Sequence, residues 1–445
     1  MDTKRAEDNT SLRILLVNLH SSRNAGDDAL TQEALRQLRG QFPHAHFTLA
    51  MNDPDSYRRR DNALGSFTAW VKRVRDKSPS PWRWESLPGM LLQSTLALLG
   101  YRLTNRPWFA FVSQEHQALL EAYLSADMVI SCAGNFLYSS GQVGMPFLLA
   151  LFSIFYAWLA GKPLYTLPQT LGPLRRRWEH LLAKVVLSRV RLVLVRDPIS
   201  LELWRSWKIR RTECVLLPDL AFAFDSHDVD AGKLEATALL RAYGVDTGRN
   251  GPLLGLTLVQ WGAQNRDFSR QAIYEHAITA AIESFLRARG GRVFLFAQVH
   301  GPTQSEDDRI PAKRIRTKLG HLGDRVVLVD RIIAPHALKA VFGHMDLFLG
   351  TRLHSNIFAL SEVVPVVAIA YQYKTHGIMQ MLGLQQWVLD IENLDSERLI
   401  EHLDNAWEKR ASIRAQIREA LPGIRARASQ AGALIASDFS SLLER

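Results

Sequence analysis

Short apolar runs alternate with longer stretches of helical spacing along most of the chain. "RILLVNLH" reads as a strand, followed by a helix from about Asp28 to Arg39 and a second strand, "HFTLAMN". After a polar interval, "SQEHQALLEAYLSA" has helical spacing and "DMVISCAGN" reads as a strand. An apolar helix follows, then strand "PLYTLPQ", helix "RRRWEHLLAKVVLSR", strand "RLVLVRD", a short helix near Leu201 and strand "ECVLLPDLAFAF". Apolar runs that do not alternate with polar residues are buried on both faces, which predicts a parallel sheet covered by helices.

The polar, glycine-containing segment "DSHDVDAGKLEATALLRAYGVDTGRNG" interrupts this order, and the alternation then restarts. "PLLGLTLVQ", "RVFLFAQ", "RVVLVD", "DLFLG", "PVVAIAY" and "WVLDI" read as strands with helices between them, and the tail from Ser396 has helical composition. The expected fold class is α/β, with two doubly wound Rossmann-like domains, residues 1–228 and 229–445. Ligands in such sheets sit at the carboxyl ends of the strands.

Length supports the division, because 445 residues exceed what one hydrophobic core usually holds. A hydrophobic content of 47% with 22% charged residues fits a soluble globular protein. Cys132 and Cys214 each lie in an apolar run, so a disulfide framework is not expected and a reducing, cytoplasmic setting is. The first residues are polar with no apolar segment of signal-peptide length behind them. The uncharged stretch Val143 to Ala160 is just long enough for a membrane span, but Pro146, Lys162 and its place between strands favour a buried helix. Net charge is +10, and residues 56–110 alone carry +7 together with Trp70, Trp82, Trp84 and Trp108. Such an insertion suits an anionic membrane surface or a nucleic acid; the alternative is a solvated insertion with a few core aromatics.

Polar residues gather where predicted strands end. In "HSSRNAGDDAL", Gly26 permits a tight turn, Asp27 and Asp28 can cap the next helix, and Asn24 stands beside Asp27. No G-x-G-x-x-G pattern accompanies them, so a dinucleotide is not indicated. "SCAGNFLYSSG" offers Gly134 and Asn135, and "LPQTLGPL" offers Gln169 and Gly172, as amides for a ligand. In "LVRDPIS", Arg196 closes a strand, Asp197 can cap and Pro198 fits the first helical position; a surface salt bridge is the alternative role for Arg196. "GTRLHSNIFALSEVVPVVAIAYQYK" places Arg352 and His354 on the first turn of a helix, where a cation is unfavourable unless an anion arrives. With Lys374 read at the end of the following strand, the stretch predicts a phosphate or carboxylate site. A His satisfied by backbone beside two exposed cations is the plainer alternative. No cluster has zinc-ligand spacing, so no metal is expected.

These blocks, "NAGDDAL", "ADMVISCAGNF", "QTLGPL", "VLVRDPIS", "LLPDLAF" and the long run from Gly350 to Leu384, resemble the bacterial polysaccharide pyruvyl transferases. The resemblance implies a glycosyltransferase-B-like arrangement, with phosphoenolpyruvate as co-substrate and no cofactor. The acceptor it implies is a sugar of an exopolysaccharide or a polyprenyl-diphosphate-linked oligosaccharide, which receives a pyruvate ketal. It associates Arg196, the run Arg352-Leu353-His354 and Lys374 with phosphoenolpyruvate. His354 is then the expected proton-transfer group and Asp27 a candidate base for the acceptor hydroxyl. Ala133 precedes Gly134 where relatives often carry paired glycines, and the basic insertion has no counterpart in the resemblance. Work on lipid-linked sugars would put the protein at the inner membrane face, with no nucleic-acid partner. A nucleotide-sugar glycosyltransferase of the same architecture, gripping a diphosphate with the same cations, is the alternative function.

Overall fold

The computed structural model of the chain describes residues 11–77, 86–106, 109, 114–139, 145–225, 229–245, 251–265 and 267–444. Two compact units emerge, and neither is continuous in sequence. The first comprises Met1–Ser22, Ala34–Leu217 and Ser429–Arg445; the second comprises Arg23–Glu33 and Pro218–Ala428. The sequence division at 228/229 assumed two uninterrupted stretches. Instead, the opening turns of helix Ala25–Gln41 belong to the second unit, and the last helix, Ala431–Leu443, belongs to the first. That last helix is tied in by Phe439 against Phe42 and by Asp438, which accepts hydrogen bonds from Tyr165 and Arg191.

In the first unit one parallel sheet runs Asn62–Gly65, His46–Met51, Arg13–Leu19, Met128–Ser131, Leu164–Thr166, Leu192–Val195, Gln169–Leu171 and Gly134–Leu137, with Glu213–Leu216 also paired to Leu192–Val195. Three local readings change. The run "PLYTLPQ" is two short strands broken at Pro168, and they pair with Leu192–Val195 separately. Gly134 and Asn135 lie on a strand of their own rather than in a loop, with Gly134 opposite Gln169. In "ECVLLPDLAFAF" only Glu213–Leu216 is strand, and Leu220–Phe222 is a 3-10 turn capped by Asp219.

The insertion is built into this unit. It supplies strand Asn62–Gly65 and helices Phe67–Lys77 and Ser86–Thr104, and Met90, Ala97 and Leu98 reach the core. Trp82, Arg83, Trp84 and Trp108 lie outside the described residues. The apolar segment expected to be a buried helix is one, Met145–Leu159, with Phe147, Ile154 and Ala157 fully buried. Among the described residues no helix is long and apolar enough to cross a membrane. Cys132 and Cys214 form no disulfide.

The second unit carries a six-stranded parallel sheet in the order Val326–Val329, Arg292–Phe296, Leu253–Thr257, Leu347–Gly350, Val366–Ala370, Val388–Asp390. All six strands coincide with apolar runs in the sequence. Counted from Leu253–Thr257, the order is 3-2-1-4-5-6, the doubly wound arrangement. Chain direction across the sheet reverses between Leu253–Thr257 and Leu347–Gly350, and the loops leaving those two strands open a crevice at their carboxyl ends. Helices Ser396–Glu408 and Arg410–Ala428 complete this unit.

Candidate functional site

Strand Leu347–Gly350 leads through Thr351 into helix Leu353–Ser361 at that crevice. The junction is pinned from several sides. Asn356 donates to the Gly350 carbonyl at 3.2 Å, and Ser355 to the Arg352 carbonyl at 2.6 Å. The Ser355 hydroxyl also meets Thr257 Oγ1 at 2.6 Å, and Thr351 meets the buried Tyr274 hydroxyl at 2.8 Å. A short hydroxyl network thereby locks the two switch-point strands to the helix start and fixes the two residues that follow Thr351.

Arg352 is the N-cap residue of that helix, only 11% exposed in its side chain. Its guanidinium grips Asp308, fully buried, with Nη2–Oδ1 at 2.5 Å and Nε to both carboxylate oxygens at 3.1 and 3.2 Å. Arg352 at this helix start therefore does not wait for an external anion, as its sequence position suggests, because the fold supplies one in Asp308. Burial pushes the Asp308 carboxyl up to about 6 against the pull of Arg352. Burial also opposes the charge on Arg352, but Asp308 and the Tyr371 hydroxyl outweigh it and raise its pKa.

His354 is the second residue of the helix, 12% exposed, with Nε2 3.9 Å from Oδ2 of the fully buried Asp219. Its other side lies on Gly26: a Cβ added there would fall 2.2 Å from His354 Nδ1. Gly26 sits inside helix Ala25–Gln41 rather than at a turn, so its role is close approach. Asn24 does the capping expected of the aspartates, accepting from Gly26 N at 3.0 Å and donating to Asp27 at 2.8 Å. Asp27 and Asp28 stand in the first helical turn, where the helix dipole favours them.

Lys374 opens helix Lys374–Met381 instead of ending strand Val366–Ala370, four residues beyond the strand's last residue but still at its carboxyl end. Its ammonium lies 5.3 Å from the centre of the Tyr371 ring, which also packs on Trp261 at 4.7 Å. Burial raises a phenol, but Lys374 and Arg352 on either side win, and the Tyr371 pKa is lowered. The sequence reading passed over Tyr371, Asp219 and Asp308. Tyr371 stood three residues before Lys374 and Asp219 inside the quoted block "LLPDLAF", whereas Asp308, in "SEDDR", carried no signal.

The remaining candidates lie in the first unit. Arg196 is 1% exposed, not a surface group, and donates from Nε to Thr170 Oγ1 at 2.8 Å. Asp197 caps helix Pro198–Ser206 as expected, accepting from Ser200 N at 2.8 Å. Gln169 is fully buried, and its side-chain amide has no hydrogen-bond partner among the described residues. Gly172, with φ +80°, follows the same strand. The structure thus gathers Asn24, Gly26, Asp27, Arg352, Leu353, His354 and Lys374 in the second unit, and Gly134, Asn135, Gln169, Gly172 and Arg196 in the first. Among the described residues no group of three or more His, Cys, Asp or Glu side chains is arranged to hold a metal ion.

Comparison with known proteins adds findings of three kinds: a family, a curated relative and solved structures. The profile of the polysaccharide pyruvyl transferase family matches residues 24–373. The amylovoran biosynthesis protein AmsJ of Erwinia amylovora is 24% identical over 92% of this chain and 95% of its own. Among solved structures, α,α-trehalose 6-phosphate synthase from Burkholderia multivorans aligns over 98% of this chain and 99% of its own with TM-score 0.56 and 13% identity. Sucrose-phosphate synthase from Thermosynechococcus elongatus covers 97% and 98%, with TM-score 0.55 and 14% identity. At such identity the likeness is one of fold alone, two Rossmann-like units of the glycosyltransferase-B type.

Proposed function

Because the chain belongs to the polysaccharide pyruvyl transferase family, we propose that it moves the pyruvyl group of phosphoenolpyruvate onto two hydroxyls of a polysaccharide or lipid-linked sugar, forming a cyclic ketal. One observation carries the reading: His354 is wedged between the Gly26 backbone and the buried Asp219 at the doubly wound switch point. A histidine held this way is suited to carry a proton to a fixed place.

Ketal formation needs a proton on the methylene carbon of the donor. His354, as imidazolium, supplies it, and Asp219 stabilises the charged ring. The first sugar hydroxyl then adds to the electron-poor carbon and loses its proton. The carbon–oxygen bond to phosphate breaks, the second hydroxyl closes the ring, and its proton leaves with phosphate. Lys374 and the amides at the start of helix Leu353–Ser361 hold the donor's anions. Arg352, its charge balanced by Asp308, contributes directed N–H groups more than net attraction. The first hydroxyl's proton passes to Tyr371 or Asp27. Of the two, Tyr371 stands between two cations that favour its phenolate, while Asp27 is already engaged by Asn24. Arg196 and the Gly134, Asn135, Gln169 and Gly172 amides are assigned to substrate binding in the first unit, a role that suits the unpartnered Gln169 amide.

No cofactor enters this scheme. The test is acceptor-dependent release of phosphate from phosphoenolpyruvate by the purified chain, with a lipid-linked oligosaccharide as acceptor. Release of a nucleoside diphosphate from a nucleotide sugar, with phosphoenolpyruvate inert, would instead support the glycosyltransferase alternative.

A further inference from the structure

Twelve large apolar side chains are exposed among the described residues, and eight of them lie on two helices of the first unit. Helix Ser86–Thr104 presents Leu92, Leu96, Leu99 and Leu103, at 59, 53, 37 and 82% exposure. Spacings of four, three and four put them on one stripe. Helix Arg177–Leu187 presents Trp178, Leu181, Leu182 and Val185, at 36 to 61% exposure, again on one stripe.

The two stripes belong to one surface. Both helices pack on the apolar helix Met145–Leu159, whose Phe152, Phe155 and Trp158 are only partly buried. Arg102, from the last turn of the first helix, and Arg189, just past the second, both lie against the Trp158 ring, at 5.6 and 4.6 Å. Trp178 packs edge-on against Phe147 of the same middle helix.

Among the described residues of these three helices the exposed charge has one sign. Ser86–Thr104 and Met145–Leu159 contain no acidic residue at all. The one carboxylate on the third helix, Glu179, is fully buried and spent on Ser139 and the backbone amides of Arg175 and Arg176. Around the leucines and tryptophans stand exposed Arg102, Arg106, Arg175, Arg176, Lys184 and Arg189. An apolar centre ringed by long basic side chains, with tryptophans among them, is what a protein lying on a bilayer presents: apolar groups enter the acyl boundary while the cations reach phosphate headgroups. Among the described residues of these three helices no carboxylate is exposed, a bias that a partner protein or a second copy would not need.

We propose that this three-helix face is the site by which the protein docks, without spanning, on an anionic lipid bilayer. The face extends the basic character of residues 56–110 to helix Arg177–Leu187, which lies outside that insertion. It does not rest on the pyruvyl transfer reading, since it needs only the first unit's surface.

Vesicle flotation of the full chain tests it, with vesicles of phosphatidylcholine alone and of phosphatidylcholine with phosphatidylglycerol. The chain should float with the anionic vesicles at low salt and fall away as salt rises. Leu96→Asn with Leu103→Asn, or Leu181→Asn with Val185→Asn, should each weaken binding at least tenfold while circular dichroism stays that of wild type. Arg102→Gln with Arg189→Gln should cost roughly fivefold per charge and steepen nothing on neutral vesicles. The proposal is overturned by wild-type protein that does not float with anionic vesicles at low salt. It is overturned equally if binding survives all three pairs. If the wild type is a dimer that the leucine pairs render monomeric without vesicle binding, the face belongs to a second copy.

Discussion

Both sheets wind outward from a switch point, but their carboxyl edges are held by different chemistry. At the edge of the second sheet, Arg352 is clasped by the buried Asp308, His354 faces the buried Asp219, and Tyr371 sits between Arg352 and Lys374. At the edge of the first sheet, the fixed groups are mostly neutral. Asn18 donates to Ser131 Oγ and to the Ala150 carbonyl, both at 3.1 Å, Thr170 accepts from Arg196, and Gln169 has an unpartnered amide. An edge of balanced charges is preorganised to handle an anion and a proton. The first edge sets its hydroxyls and amides beside one buried cation and one buried carboxylate, Arg196 and Asp197, which Thr170 bridges. The contrast also shows that counting cations in a sequence overstates a site's net attraction when buried carboxylates are folded in beside them.

The largest effect should come from the charged edge. His354→Ala should lower pyruvyl transfer by about 10²–10⁴-fold, the range for losing a positioned proton donor, with melting temperature little changed. Transfer near the wild-type rate would remove His354 from the chemistry. Gly26→Ala sharpens the same point, since Gly→Ala at an unstrained helical position normally stabilises by ~0.4–1 kcal/mol. Here the added Cβ meets the His354 ring, so turnover should fall and stability should not rise; a more stable, fully active variant would contradict the close packing.

Arg352→Ala should cost stability as well as activity, because it strands the buried Asp308. Removing one partner of such a pair costs about 3–5 kcal/mol at neutral pH. The cost should shrink as pH falls, starting at a higher pH than the wild-type midpoint, because without Arg352 burial alone sets the Asp308 pKa and raises it further. In the wild type, the folded-state pKa of Asp308 is raised above the ordinary 3.8, so its contribution to stability is fully present at the most acid pH and is lost as pH rises through about 6. Asp308→Asn should flatten that slope in thermal melts. An unchanged slope would place the titration elsewhere.

Tyr371→Phe keeps the ring on Lys374 and Trp261 and removes the hydroxyl, so kcat should drop while the KM for phosphoenolpyruvate stays within a few fold. Lys374→Ala should do the reverse, raising donor KM by about tenfold, as for one lost charge-assisted contact. The smallest effect belongs to the neutral edge. Gln169→Met keeps the shape and removes an unpartnered amide, so stability should change by less than ~1 kcal/mol or rise. A clear loss of stability would mean the amide is satisfied in the fold.

Much of the architecture was legible because both sheets are parallel and buried on two faces, which leaves runs such as "RVFLFAQ" and "PVVAIAY" unbroken. The helix start at Arg352 was legible for the same reason, since the apolar run stops at Gly350. Legibility failed where short strands carry polar or glycine residues, as at Gly134–Leu137 and Gln169–Leu171, and at Asn62–Gly65 within the insertion. It failed again for pairs formed across long sequence distances. Asp308 lies 44 residues from Arg352, and nothing local marks it as the partner. The exposed stripe of helix Ser86–Thr104 was hidden too, because leucines four and three apart read as core until their exposure is known.

The most direct measurement is turnover in deuterium oxide with phosphoenolpyruvate and a sugar acceptor, followed by mass spectrometry of the product. Protonation at the methylene carbon by His354 predicts a pyruvate ketal whose methyl group carries one solvent deuteron, formed together with one phosphate, and its formation slowed by about 10²–10⁴-fold in His354→Ala. A product that gains a sugar from a nucleotide donor, or a ketal formed at full rate by His354→Ala, would contradict the account.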